Sequence, residues 1–151
     1  VIKLLCERGR DGIRVIAVCG SNERLYQRLV KKYGKQIIVM RRTHRMDVYL
    51  RACDLYLTKP GGLSSTEAAV IGTPLVHLPP IPGCETGNVR FFSSLGMSRR
   101  IKLRAAEIPE IISFMEDKSE CWKMKNKQYE IVHKEAASRI CDFVDEMIRK
   151  G

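Results

Sequence analysis

The sequence predicts an α/β fold in which a parallel β-sheet is flanked by helices and followed by a helical C-terminal tail. Short runs rich in β-branched residues alternate with stretches of helical periodicity, which is typical of parallel strands joined by right-handed crossovers. Turns rich in glycine, proline and asparagine fall directly after predicted strands, at the sheet edge where such folds bind ligands. The 151 residues suffice for one domain with a buried core.

The first strand is predicted over residues 13–20, because IRVIAVCG is continuously apolar and ends in glycine, a pattern typical of a strand buried on both faces. Asn22 is a suitable N-cap for the helix that follows. The alternation then continues in the manner of a Rossmann-like sheet. Further strands are predicted over 36–40, 54–57 and 74–78 with a short run near 100–103, and helices over 23–33, 45–52, 64–71 and 89–95.

The chain is predicted to form a single domain over 1–151, with a helical tail over about 107–151 in two or three pieces. Apolar residues of the tail keep helical spacing, which predicts one apolar face packed on the sheet. Residues 1–10 are predicted to be helical, and no strand is predicted before residue 13. The apolar positions of the tail are Ile131, Ala136, Ile140, Val144 and Ile148.

The chain carries a net charge of +10, from 27 basic and 17 acidic residues, of which +7 lies in residues 1–88. This excess favours anionic partners such as nucleotide phosphates, nucleic acid or an anionic lipid surface. Aromatic residues make up only 7% of the chain and do not alternate with basic tracts, so nucleic acid is not an expected partner. No apolar run approaches the roughly 20 residues that span a bilayer and no signal peptide is recognisable, which predicts a cytoplasmic protein.

Six cysteines lie at positions 6, 19, 53, 84, 121 and 141. None forms a CxxC pair, and closely spaced ligands are what a zinc site requires. We therefore expect reduced, mostly buried thiols, no metal and no cofactor.

The segment with the strongest chemical signal is DLYLTKPGGLSSTEAAVIGTPLV, residues 54–76. A strand ends at Pro60, and Gly61 and Gly62 then permit positive φ angles and close approach of a ligand to the backbone. The predicted helix that follows has free N–H groups at its start, which form an anion site suited to a diphosphate. Glu67, one turn into the helix, is placed to accept hydrogen bonds from a ribose diol.

An alternative interpretation of the same segment is purely structural. The Gly-Gly pair would be an ordinary turn, and Ser64 or Ser65 would be the N-cap of a capping box completed by Thr66 or Glu67. His77 ends a predicted strand, and a lone histidine there is more often a hydrogen-bonded core residue than a catalyst. Arg41, Arg42, His44 and Arg45 form a basic cluster that is either a solvated loop or a contact for phosphates or lipid head groups.

The runs KPGGLSSTEA, GTPLV and PIPGCETGNV resemble the C-terminal donor-binding half of the family 28 glycosyltransferases. The resemblance is strongest to the monogalactosyldiacylglycerol synthases and the processive diacylglycerol glucosyltransferases, and it covers roughly residues 13–97. It implies the C-terminal half of a GT-B fold that binds a UDP-sugar. It also implies that the chain lacks its first strand and an N-terminal domain, which would hold the lipid acceptor and the catalytic base.

The resemblance also implies roles for individual residues. The diphosphate would be bound by Gly61, Gly62, Leu63 and Ser64, the ribose by Glu67, and the sugar hydroxyls by Glu85 and Asn88 in the loop after the fourth strand. Gly20 and Asn22 would face the nucleotide cleft, and residues 40–43, including Arg41, would border the uracil. Arg41 and Arg42 replace the family's usual Gly-Phe pair, and Cys84 replaces its usual glutamine, so the donor sugar is not assigned.

The expected function is therefore transfer of a hexose to a diacylglycerol-type lipid with inversion, by a protein attached peripherally to the inner face of the membrane. The chain alone is expected to bind UDP-sugar without transferring the sugar. Two alternatives stay open: a stand-alone donor subunit of a split N-acetylglucosaminyltransferase, and a non-enzymatic basic module that binds nucleotides or membranes. A third is a GT-B-like epimerase, for which only Glu85 and His77 are available as catalytic residues in the sheet-edge loops.

Overall fold

A computed structural model describes residues 2–8 and 12–150 of the chain. Helices and short strands alternate through the first two thirds of it, and three helices complete it. The helices are α1 (Ile2–Arg8), α2 (Glu23–Tyr33), α3 (Met46–Ala52), α4 (Gly62–Ile71), α5 (Cys84–Ser94), α6 (Glu107–Glu116), α7 (Lys118–Ile131) and α8 (Ala136–Lys150). The strands are β1 (Ile16–Val18), β2 (Ile38–Met40), β3 (Tyr56–Thr58), β4 (Leu75–His77) and β5 (Arg99–Arg100).

Every strand pair in the described residues is parallel, as the alternation predicts. The strands form two sheets, with the orders β1-β2 and β3-β4-β5. Both sheets contact one apolar cluster built from Leu5, Ile108, Ile111 and Ile112 of α1 and α6. Partly buried residues of both sheets pack against that cluster, namely Ile13 and Val15 before β1, and Leu55 and Leu57 at β3.

The main core lies between the three-stranded sheet and helices α4, α5 and α7. Leu75 and Val76 of β4 are buried at its centre, because β4 has a neighbour on each side. Ala68 and Ala69 of α4 are completely buried, and such small side chains let α4 lie close to the sheet. The position of α4 is therefore tightly fixed, and its first turn rises at the carboxyl end of β3.

The sequence predicted most elements within a few residues, and α2 with its Asn22 cap is confirmed in full. The prediction that residues 13–20 are buried on both faces is wrong. Ile16 and Val18 are 41% and 40% exposed, and Ile38 beside them on β2 is 54% exposed. In the described part of the chain, this two-stranded sheet has one face without a packing layer. The predicted helix over residues 1–10 is described as Ile2–Arg8, and its other residues lie outside the described ones.

The predicted packing of the tail is confirmed for α7 and wrong for α8. Ile131 packs against the main core, but Ile140, Val144 and Ile148 are 64%, 47% and 72% exposed. Val132 has extended backbone, with φ −100° and ψ 110°, which ends α7. The packed apolar face of α7 therefore does not continue into α8, which has no buried residue. Among the described residues, no helix is long and apolar enough to cross a membrane.

Candidate anion site at the start of α4

The Lys59–Gly62 turn carries the chain from β3 into α4. Gly61 is the N-cap, with φ −73° and ψ 139°, and no side chain caps the helix. The capping-box alternative is therefore wrong, because the helix begins at Gly62, before either serine. Neither glycine uses the positive φ that its lack of a side chain permits. The surroundings of Gly61 are open, because a Cβ atom added there would meet nothing within 4 Å.

The first turn of α4 presents three N–H groups that have no acceptor within residues 2–8 and 12–150. The first helical hydrogen bond runs from the Ser65 N–H to the Gly61 carbonyl, at 3.0 Å. For the N–H groups of Gly62, Leu63 and Ser64, the described residues provide no acceptor. A helix start has about half a unit of positive charge. Open donors at such a place, beside an uncrowded glycine, form a site for an anion.

Side chains of the first turns extend this site. The Ser64 hydroxyl is half-buried, and no described residue bonds it. Glu67 is exposed and has no partner among the described residues, so its carboxylate can accept bonds from a ligand. Leu63 is 83% exposed, so the turn has an uncovered outer surface.

The predicted loop before residue 89 is instead the start of α5, which begins at Cys84. Gly83 precedes it with φ 111°, a conformation that favours glycine. The Glu85 carboxylate accepts a hydrogen bond from the Ile81 N–H at 2.6 Å. Asn88 donates from Nδ2 to the Pro60 carbonyl at 2.9 Å. Both side chains therefore hold this region together, and Asn88 ties α5 to the glycine turn.

The first glycine turn lies at the carboxyl end of β1. Gly20 has φ 62°, which favours glycine. Its N–H donates to the Arg41 carbonyl at 2.9 Å, so this turn is bonded to the end of β2. The Asn22 side chain accepts from the Leu25 N–H at 2.9 Å, which uses the predicted capping oxygen.

The Arg41 side chain is directed toward α2. Its guanidinium donates two hydrogen bonds of 2.8 Å to Glu23 and lies 3.8 Å from the centre of the Tyr26 ring. These bonds lower the pKa of Glu23 to about 2. Arg41 therefore has side-chain partners, whereas Glu67 has none in the part of the chain that the structure describes.

His77 is a hydrogen-bonded core residue, as its position predicted. It is completely buried, and its Nε2 and Nδ1 atoms lie 2.9 and 3.1 Å from the hydroxyls of Ser65 and Ser98. Burial lowers its pKa to about 4. No sequence pattern indicates Ser98 as a partner of His77, and the pattern around Ser65 indicates only a hydroxyl near the start of a helix. A histidine at the end of a fully apolar strand is the signal that could have prompted a search for such partners.

The anion site lies beside an exposed surface, since Leu63 of its first turn is largely uncovered. One shallow cavity of about 560 Å³ is lined mainly by α6 and α7. A second, of about 480 Å³, is lined by α3, α4 and α7. Neither includes the Lys59–Ser64 segment. Among the described residues, no group of three or more histidine, cysteine, aspartate or glutamate side chains is placed to hold a metal ion.

Comparison with known proteins identifies the family. No family model matches the chain. The processive diacylglycerol β-glucosyltransferase of Bacillus subtilis is 32% identical over 129 residues, which are 82% of this chain and 34% of that protein. Its counterpart in Bacillus licheniformis is 29% identical over 144 residues, 92% of this chain and 37% of that protein. The chain belongs to the family 28 glycosyltransferases. It spans about a third of the length of these curated relatives.

Solved structures confirm the fold of this family 28 chain. MurG of Acinetobacter baumannii matches with a TM-score of 0.72 at 18% identity, over 95% of this chain and 46% of that one. The glycosyltransferase of kitacinnamycin matches with a TM-score of 0.54 at 16% identity, over 70% of this chain and 29% of that one. The chain therefore has the fold of a GT-B C-terminal domain, with parallel sheets flanked by helices.

Proposed function

We propose that this chain is the UDP-sugar-binding half of an inverting glycosyltransferase that transfers a hexose to a diacylglycerol-type lipid. The observation that carries the proposal is the set of open N–H groups at Gly62, Leu63 and Ser64 beside the uncrowded Gly61. The relatives named diacylglycerol β-glucosyltransferases support the choice of donor and acceptor.

The chemical task of this half is to stabilise the leaving group. In an inverting transfer, the acceptor hydroxyl attacks the anomeric carbon, that carbon's bond to the diphosphate oxygen breaks, and UDP departs from the opposite face. Negative charge grows on the diphosphate as the bond breaks. The N–H groups of Gly62–Ser64 and the Ser64 hydroxyl would donate to it there, and a fixed donor of this kind contributes about 3 kcal/mol to transition-state stabilisation.

Glu67 and Asn88 would contribute to donor binding in different ways. Glu67 is exposed and without a partner among the described residues, so it is available to the ribose diol. Asn88 donates to Pro60, and it would act on the diphosphate through the shape of the turn. The general base and the lipid site would belong to a separate acceptor domain, and a lipid acceptor implies work at a membrane surface.

We further infer that a strand missing from this chain lies between β1 and β3 in the complete donor domain. Both strands have a partner on one side only within the described residues, and both sheets pack on the same α1–α6 cluster. The register of β1 leaves the N–H groups of Ile16 and Val18 on its unpaired edge. Hydrogen exchange at these two residues should be slower in the longer protein than in this chain, and equal exchange would contradict the inferred strand.

Calorimetric titration of the purified chain with UDP tests the proposed function. We expect saturable binding, which Glu67→Ala weakens by about 1–3 kcal/mol, because a ribose hydroxyl loses its acceptor. Glu110→Ala is the matched control, since Glu110 is an exposed glutamate on the distant helix α6. Equal affinities of the two variants would contradict the role of Glu67.

The same titration separates the alternatives. A basic binding module would bind a short oligonucleotide or anionic vesicles, and these would compete with UDP. The proposal predicts that neither competes. It also predicts no sugar transfer by the chain alone, and transfer above background by this chain would contradict it.

A further inference from the structure

His77 links four elements of the fold through one buried ring. The residue ends β4, its Nε2 bonds Ser65 of α4, and its Nδ1 bonds Ser98, which precedes β5. The ring also meets Phe92 of α5 edge-to-face, with centroids 5.7 Å apart. A neutral imidazole has one donor and one acceptor nitrogen, so one serine hydroxyl accepts a hydrogen bond from the ring and the other donates one.

Ser65 joins this network to the first turn of α4, which forms the anion site. Ser65 follows Ser64 directly, and its N–H makes the first hydrogen bond of α4. Its side chain is completely buried, so the hydroxyl is closed to solvent. His77 therefore holds the first turn of α4 through Ser65, while Asn88 holds the Pro60 carbonyl that precedes the helix.

We propose that His77 is a positioning residue for the diphosphate site. Through Ser65, it sets the place at which the N–H groups of Gly62, Leu63 and Ser64 converge on one anion. Groups that stabilise a charge must be held within about 0.5 Å of the productive geometry. An apolar side chain at position 77 could fill the same space, but it would leave the turn without a directional bond. This inference rests on the proposed function.

The two serines provide a matched pair of variants. Ser65→Ala and Ser98→Ala each remove one buried hydroxyl bonded to the same ring, but only Ser65 lies in the helix that binds the diphosphate. Both variants should lose similar stability in chemical denaturation. We expect Ser65→Ala to weaken UDP binding about five- to tenfold, the scale of one lost hydrogen bond, and Ser98→Ala to leave it within about twofold.

A second measurement uses the unaltered protein, in case Ser65→Ala does not fold. UDP titration followed by ¹⁵N NMR should shift the His77 ring nitrogen that bonds Ser65, although the ring touches no ligand. Equal UDP affinities of the two serine variants, or ring signals that do not move on saturation, would overturn the inference while UDP binding itself stands. A wild-type chain that does not bind UDP would overturn the proposed function together with it.

Discussion

The side chain of Asn88 donates a hydrogen bond to the carbonyl oxygen of Pro60 across 2.9 Å, which joins the first turns of α5 to the turn that precedes α4. A Cβ atom added at Gly62 would lie 3.9 Å from the same Nδ2 atom. Two segments that are 28 residues apart therefore meet where the diphosphate is proposed to bind.

Asn88→Asp should weaken UDP binding. Aspartate has nearly the same shape but cannot donate to Pro60, and it adds a negative charge close to the anion site. We expect UDP binding to fall by at least about 1.5 kcal/mol, the upper value for one hydrogen bond. Calorimetry with UDP checks this. Asn88→Ala is the control for charge, and it should weaken binding less than Asn88→Asp does.

Gly61→Asp should stabilise the protein and abolish UDP binding. An aspartate at the N-cap would accept hydrogen bonds from the open N–H groups of α4, and its charge would interact favourably with the helix dipole. Together these effects should raise the free energy of unfolding by about 0.5 kcal/mol. The same carboxylate would occupy the place of the diphosphate and repel it. Urea denaturation and UDP calorimetry check the two effects.

Gly61→Asn is the uncharged control for Gly61→Asp. It should cap the helix similarly and weaken UDP binding less than aspartate does. Unchanged UDP affinity in Gly61→Asp would show that the ligand does not approach these amides.

Gly72→Ala should have the opposite pattern, with lower stability and normal UDP affinity. Gly72 ends α4 with φ 81°, and an added Cβ would lie 2.5 Å from the Tyr129 hydroxyl. We expect the free energy of unfolding to fall by about 1–3 kcal/mol. Denaturation and calorimetry measured on the same preparation would check this, and a loss of UDP affinity comparable to that of Gly61→Asp would be inconsistent with a site confined to the start of α4.

The buried His77 predicts a specific loss of stability in acid. Its pKa falls from 6.5 to about 4 on burial, so between these values the unfolded chain binds a proton that the folded protein does not. The contribution is fully present above about pH 6.5 and is lost as the pH falls toward 4, by up to about 3 kcal/mol. Unfolding free energies of wild type and His77→Phe between pH 4 and 7 check this. A slope in the variant as steep as in wild type would contradict it.

Elements governed by local signals were predictable from the sequence. Asn22 caps α2 as its position indicated, and the apolar run around Val76 is the central strand of its sheet. His77 is buried and hydrogen-bonded, as a lone histidine at the end of a predicted strand more often is.

Features that depend on contacts between distant segments were not predictable. The start of α5 contains three weak helix formers, Thr86, Gly87 and Asn88. The helix nevertheless begins before them, because Asn88 donates a hydrogen bond to Pro60 and because Val89 and Phe92 are buried. The exposure of Ile16 and Val18 depends on which layers cover β1, and apolar character alone does not specify that. The open N–H groups were expected from the Gly-Gly turn, but the conformation of Gly61 was not.

The central claim is that the N–H groups of Gly62, Leu63 and Ser64 bind the diphosphate of a UDP-sugar. An ¹H–¹⁵N correlation spectrum recorded during UDP titration reports on these three groups individually. The account predicts saturable downfield shifts of all three, with phosphate couplings across the hydrogen bonds, and smaller changes at α6 and α7. Saturation of UDP binding with these three signals unmoved would contradict it.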